Sequence, residues 1–315
     1  MSSTGEIITL RDGRRAVVHR HGADTGRRVV VFCHPAPGSG AFDPDPAATR
    51  LAGVTLLALD RPGYGGSDPA TDWADVPTAA DDLAELIDQR RLGRVAVAGW
   101  SAGGRVALAL AARRPDLVRR VAVLATPAPD EEVPWLDPGQ RDLTAGLRDR
   151  APADVRAQLD AALAGLVPPD PRDPAALRLL GANPADRAAP ADPGAGTRVG
   201  DMLAEAFAQG VRGMADDIAG YSLRPWGFTP DQVGAATLLL YGADDALAGP
   251  EHGRWWRDAL PDARLEVVPN AGHLLVVPSW PRVLDHLVGP PMRATSAREA
   301  VAFIRRASSP PRPVR

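Results

Sequence analysis

The sequence predicts an α/β fold, a doubly wound, mostly parallel sheet with a helical cap insertion. Three observations carry that expectation. Short β-rich runs recur along the 315 residues. From "RVVVFC" onward they are continuously apolar rather than alternating, as strands covered on both faces must be. Segments of helical period separate them, which is the pattern of strand, helix, strand that builds a parallel sheet.

The first two runs, "EIITL" and "RAVVHR", are joined by "RDGR" and read as a hairpin at the sheet edge. Next come "RVVVFC" and "VTLLALD". The helix "PTAADDLAELIDQRRLG" follows, with arginines in its last turn and Gly93 as its stop. After it the strand "RVAVAGW" leads into "GGRVALALAARRPDLV", a helix that ends before Pro115, and "RRVAVLAT" is the next strand.

The alternation then breaks. Residues 128–228 are rich in Ala, Pro, Arg and Asp and offer helical patches such as "ADVRAQLDAALAGL" but no convincing strand. Strands resume at "ATLLLYG" and "RLEVVP". The expected organisation is therefore a core of residues 1–127 and 229–290, a helical cap of residues 128–228, and a basic tail, residues 291–315, whose Pro/Ser-rich end should be disordered. Within the cap, "GANPADRAAPADPGAGTRVG" is either a mobile lid or a disordered turn, and its composition favours the turn.

Composition removes several classes of function. A net charge of -3 gives no basic field, which argues against nucleic acid or an anionic membrane as the main partner. The chain has no lysine, so Schiff-base chemistry and a Walker-type phosphate lysine are absent. Its single cysteine, Cys33, forms no internal disulfide and reads as a small buried hydrophobe. The N-terminus lacks the pattern of a signal peptide, and no segment approaches the roughly 20 apolar residues of a membrane span. The expectation is a soluble, cytoplasmic protein that acts on a small molecule, with no metal and no cofactor. Its oligomeric state is open.

Chemistry concentrates where "RVAVAG" runs into "GWSAGG". Gly99-Trp100-Ser101-Ala102-Gly103 is a G-x-S-x-G placed between a buried strand and an amphipathic helix, the context a nucleophile elbow requires. Small residues on either side of the serine let strand and helix approach, and the helix N-terminus favours negative charge. Serine needs a base, and six histidines compete. His19 and His21 belong to the edge hairpin, His34 begins a turn, and His252 and His286 fall in helices. His273, in "PNAGH" after a late strand, lies at the strand C-termini where sites of parallel sheets form. The carboxylate should lie between serine and histidine in the chain, and "GADDAL" supplies Asp244 and Asp245, of which Asp245 is the expected partner.

The stretch "HPAPGSG" follows the strand "VVVFC". Pro35 and Pro37 have no N–H, so Ala36 offers the single main-chain donor between His34 and Gly38. Attack on a carbonyl needs two fixed donors. Ala102 N–H supplies one, and Ala36 N–H is the natural second.

These pieces together resemble the α/β-hydrolase superfamily, in its form with a helical cap. The resemblance spans most of residues 7–289 and rests on "HPAPGSG" in the position of the family's His-Gly oxyanion loop, "DRPGYGGSD", "GWSAGG", "YGADD" and "AGH". Pro35 stands where the family usually has glycine. The resemblance implies the sheet topology and a pocket between core and cap, near which His34, Trp100, Trp226 and Phe228 are candidate lining residues. Trp226 and Phe228 serve equally well as a pin for the cap's return to the core, and Trp135, Trp255 and Trp256 are either pocket or packing. "DRPGYGGS" reads as turn geometry with Asp60 and Arg61 pairing. Asp216 and Asp217 read as a solvated helix face, with recognition of a substrate amine as the alternative.

Ser101 argues against the dehalogenases and epoxide hydrolases of similar architecture, which use aspartate at the elbow. The expected activity is a serine hydrolase acting on a small ester, thioester or lactone through an acyl-enzyme. A prolyl-type aminopeptidase or a carbon-carbon bond hydrolase would use the same residues. A non-catalytic ligand-binding protein is the alternative of another class.

Overall fold

A computed structural model describes residues 5–23, 28–72, 74–186 and 194–289. The expected tail and part of the Ala/Pro-rich loop, residues 187–193, lie outside the described residues.

Among the described residues the sheet has eight strands in the order β1-β2-β4-β3-β5-β6-β7-β8. β1 (Glu6–Thr9) and β2 (Arg15–Gly22) form the edge hairpin, and β2 runs antiparallel to β4 (Thr55–Leu59). All later pairings are parallel, through β3 (Val29–Cys33), β5 (Val95–Trp100), β6 (Val118–Leu124), β7 (Ala236–Gly242) and β8 (Ala263–Val268). β3, β4 and β5 are buried at every residue, the physical basis of their unbroken apolar runs.

Helices cover both faces. α2 (Val76–Gln89), α3 (Ala102–Arg113) and α8 (Pro250–Ala259) pack on one, and α1 (Pro46–Leu51) and α9 (Val276–Val288) on the other. Asp75 caps α2 by accepting from Thr78 N at 3.0 Å.

Between β6 and β7 lie α4 (Pro138–Leu147), α5 (Pro152–Leu163), α6 (Ala195–Ala206) and α7 (Arg212–Ser222). Leu147, Val155, Leu159, Ala215 and Ala219 form a small core of their own joining α4, α5 and α7. α6 instead contributes Val199, Met202 and Leu203 to the core beneath the sheet. α6 is therefore anchored to the rest of the molecule by apolar packing, and α7 by the ion pair described below.

Candidate active site

β5 ends and α3 begins at Ser101, whose φ of 54° and ψ of -122° are unusual for a residue with a side chain. The turn is held by Ser101 N donating to Leu124 O at 2.8 Å and by Thr126 Oγ1 donating to Ser101 O at 2.8 Å. It also needs glycine nearby. A Cβ on Gly103 would stand 2.1 Å from Cys33 O, and one on Gly104 would stand 1.9 Å from Thr126 Oγ1. Strand and helix approach too closely for any side chain there.

His273 follows β8 in a 3-10 turn and is 1% exposed. Its Nδ1 lies 2.8 Å from Asp245 Oδ2. Because an ionised carboxylate only accepts, Nδ1 carries a proton, and in the neutral ring Nε2 is left with its lone pair. Asp245 Oδ1 in turn accepts from Leu247 N at 2.8 Å and Ala248 N at 3.0 Å. Burial pushes the Asp245 carboxyl up, but His273 and these two N–H groups outweigh it and hold it below the usual carboxylate value. Asp244, its neighbour, is exposed, and its main-chain carbonyl accepts from Asn183.

Trp100 does not face a pocket, as the resemblance implied. It is fully buried in the core because it is the last residue of a strand covered on both sides. Its ring lies 6.1 Å from that of His273 and its Nε1 donates to His273 O at 2.9 Å. The residue before Ser101 is thus bonded to the main chain of His273, 173 positions later. Asp186, which the sequence reading missed, accepts from Leu274 N at 2.7 Å and steadies the same turn from the other side.

Ala36, Ser101 and Ala102 line one cavity of about 220 Å³, together with Arg105, Trp135, Asp217 and Tyr221. A larger cleft of about 580 Å³ shares Arg105, Trp135 and Tyr221 with it but does not include Ser101. Trp226 lines that larger cleft, and its ring stacks on Trp256 at 6.0 Å. Phe228 packs against the core on the α3 side and lines neither cavity, so it pins the return of the chain.

His34 is a second departure from the expected lining. It is fully buried behind the loop, where its Nε2 accepts from Arg61 N at 3.1 Å and its Nδ1 donates to Pro35 O at 2.8 Å. Burial, with the Arg61 cation beside it, holds His34 well below the usual imidazole value and hence neutral. The other histidines are engaged elsewhere. His21 contacts Gly40 O, His252 accepts from Ala128 N, His286 contacts Val121 O, and His19 sits between Asp60 and Glu205.

Arg61 shapes the loop that carries Ala36. It donates to His34 O through Nη1 and to Pro35 O, at 2.8 Å, through Nη2. The Pro35 carbonyl and the Ala36 N–H belong to one planar peptide, so gripping the oxygen fixes where the N–H points. Arg61 does not pair with Asp60, which instead meets His19 and Gly40 N. Its partner is Asp217 of α7, through Nε at 3.2 Å and Nη2 at 2.6 Å. Asp217 and Asp216 are therefore not a solvated helix face. Asp217 also accepts from Tyr64 and Tyr221, and Asp216 pairs with Arg156 and Arg212, so neither carboxylate is left for a substrate amine.

A family model described as alpha/beta hydrolase fold matches residues 28–278. A pimeloyl-[acyl-carrier protein] methyl ester esterase of Neisseria meningitidis is 30% identical over 223 residues, 69% of this chain and 75% of that protein. A 2-(acetamidomethylene)succinate hydrolase of Mesorhizobium japonicum is 30% identical over 249 residues, 78% of this chain and 81% of that one. The crystal structure of a hydrolase from Pseudomonas aeruginosa superposes with a TM-score of 0.63 at 22% identity, covering 91% of this chain and 98% of that one. Sheet order, strained serine turn and sequence match agree, and the chain belongs to the α/β-hydrolase-fold family.

Proposed function

We propose that the protein is a serine hydrolase that cleaves a small ester, thioester or lactone through an acyl-enzyme, and that residues 128–228 act as a cap bounding its pocket. Ser101 is the nucleophile, His273 the base, and Asp245 the group that orients the imidazole and stabilises its cation. The observation that carries this reading is the 2.8 Å contact between His273 Nδ1 and Asp245 Oδ2, held beside the serine elbow by the Trp100 bond to His273 O. The names of the relatives, an esterase and a hydrolase, support the reaction class.

In the first step Ser101 Oγ bonds to the substrate carbonyl carbon while its proton passes to His273 Nε2. The negative oxygen that forms is met by the N–H groups of Ala36 and Ala102, which are fixed in advance and need little rearrangement. The bond to the leaving oxygen or sulfur then breaks, and His273 returns the proton to it. Water repeats the sequence on the acyl-enzyme, giving His273 its proton and releasing the acid. The 220 Å³ cavity suits a small acyl group.

A fluorophosphonate probe tests the reading. Wild type should be labelled and should hydrolyse short p-nitrophenyl esters, and Ser101→Ala should do neither while keeping its circular dichroism spectrum. A folded wild type that resists the probe and leaves every ester intact would instead mark a binding protein.

A further inference from the structure

Arg105 lies on the first turn of α3, four residues after Ser101, and both side chains line the same cavity. Arg105 is 2% exposed. Buried cations are ordinarily matched by carboxylates, as Arg61 is by Asp217. Arg105 is not. Among the described residues its one hydrogen bond runs from Nη2 to Pro127 O at 3.1 Å, and its Nε is buried with no partner.

In place of a counter-ion, three aromatic rings surround the guanidinium. Those of Trp226, Tyr221 and Trp135 have their centroids 4.7, 5.1 and 5.3 Å from its central carbon. Ring faces attract a cation and offset part of its desolvation, but they accept no conventional hydrogen bond. Trp135 adds a second orphan donor, since its Nε1 is also buried without a partner. Burial lowers the Arg105 guanidinium to about 10, which leaves it charged at neutral pH. Of the acidic groups nearby, Glu131 at the larger cleft is exposed and forms no ion pair with Arg105, and the two buried or half-buried ones are already engaged. Asp217, on the same cavity wall, already accepts from Arg61, Tyr64 and Tyr221, and Asp130, at the larger cleft, pairs with Arg141.

We propose that the substrate supplies the missing carboxylate: the Ser101 cavity takes an ester whose acyl group carries a free carboxylate, bound by Arg105 with Trp135 N–H as a further donor. This rests on the ester-hydrolase reading above and names the substrate class. Placing the anion on the acyl half keeps the acyl-enzyme anchored through both attack and hydrolysis, so one subsite orients both steps. The three rings exclude water from the pair and strengthen it.

The methyl half-esters of succinate, glutarate and adipate, compared by titration of released acid with methyl butanoate, pentanoate and hexanoate, give the ratio of kcat/KM for anionic over neutral acyl chains. The wild type should favour the half-ester about 10- to 100-fold at its best chain length. Arg105→Gln should bring that ratio close to one, and Arg105→Lys should recover part of it. Should the Gln variant fail to fold, calorimetry on Ser101→Ala, with Arg105 intact, carries the test through glutarate, which should bind at least about tenfold more tightly than pentanamide. Hydrolysis of neutral esters with no preference for half-esters at any length, or equal binding of glutarate and pentanamide, overturns the proposal and leaves the ester-hydrolase reading standing. No turnover of any ester, with no fluorophosphonate labelling, overturns both.

Discussion

Asp217 of α7 and Arg61 of the turn after β4 are separated by 156 positions and form a buried, two-point ion pair with contacts of 3.2 and 2.6 Å. Through Arg61 the pair reaches Pro35 O, and through that peptide the Ala36 N–H. An element lying between β6 and β7 therefore helps to aim a main-chain donor in the loop after β3.

Removing one partner of such a pair leaves a buried charge uncompensated, at a cost of about 3–5 kcal/mol. Asp217→Asn should lower the urea midpoint accordingly. Because Arg61 then loses its hold on the loop, kcat for a neutral ester should fall about 10- to 100-fold with KM little changed. An unchanged kcat in a destabilised variant would confine the pair to a structural role.

Asp245→Asn keeps an oxygen for the Leu247 and Ala248 N–H groups but offers His273 no negative charge. Stability should change little, while kcat falls by about 10⁴ as the imidazole loses its oriented tautomer and the support for its cation. Steady-state kinetics beside thermal melting separate the two effects.

Gly104→Ala places a methyl carbon 1.9 Å from Thr126 Oγ1, and Gly103→Ala places one 2.1 Å from the main-chain Cys33 O. The first clash is with a side chain whose hydroxyl holds Ser101 O, and the second is with backbone. Gly103→Ala should therefore be the worse, with a loss of several kcal/mol, in the range of the larger single-site effects. Gly104→Ala should lose less stability but more activity, since Thr126 must release the serine turn. Denaturation midpoints and ester hydrolysis for the two variants check the order.

His19 is buried between Asp60 and Glu205. Burial lowers its affinity for a proton, but the two carboxylates outweigh it and raise the imidazole to about 9. A value above the unfolded one, about 6.5, means that the protonated form is preferred in the folded state. Its stabilisation is then complete below pH 6.5 and is lost as pH rises through 9. Denaturation at pH 6.5 and 9.5 should show a loss on the order of 2–3 kcal/mol in wild type, and His19→Gln should flatten the difference.

Strand and helix periods made the doubly wound core legible. "RVVVFC", "VTLLALD" and "RVAVAGW" contain the buried residues of β3, β4 and β5, because a strand covered on both faces has no position for a polar side chain. The serine turn was legible for a related reason. Only glycine fits where α3 meets β3 and Thr126, so the packing constraint is written locally around Ser101. The His273 position followed from its place after a late strand.

Contacts between distant segments are not written that way. Asp244 and Asp245 are adjacent in the chain, and only the path of the loop after β7 turns the second toward His273. Trp100 and His34 looked like pocket residues because they flank the elbow and the proline turn, yet each side chain points into the interior. Asp217 looked like surface until Arg61 met it, and the three rings that enclose Arg105 without a counter-ion come from distant segments of the chain. Backbone period and turn chemistry act over a few residues, and the sequence alone could specify whatever depends on them. The dielectric surroundings and partners of a charge depend on segments a hundred or more positions away, and tertiary packing alone assigned those.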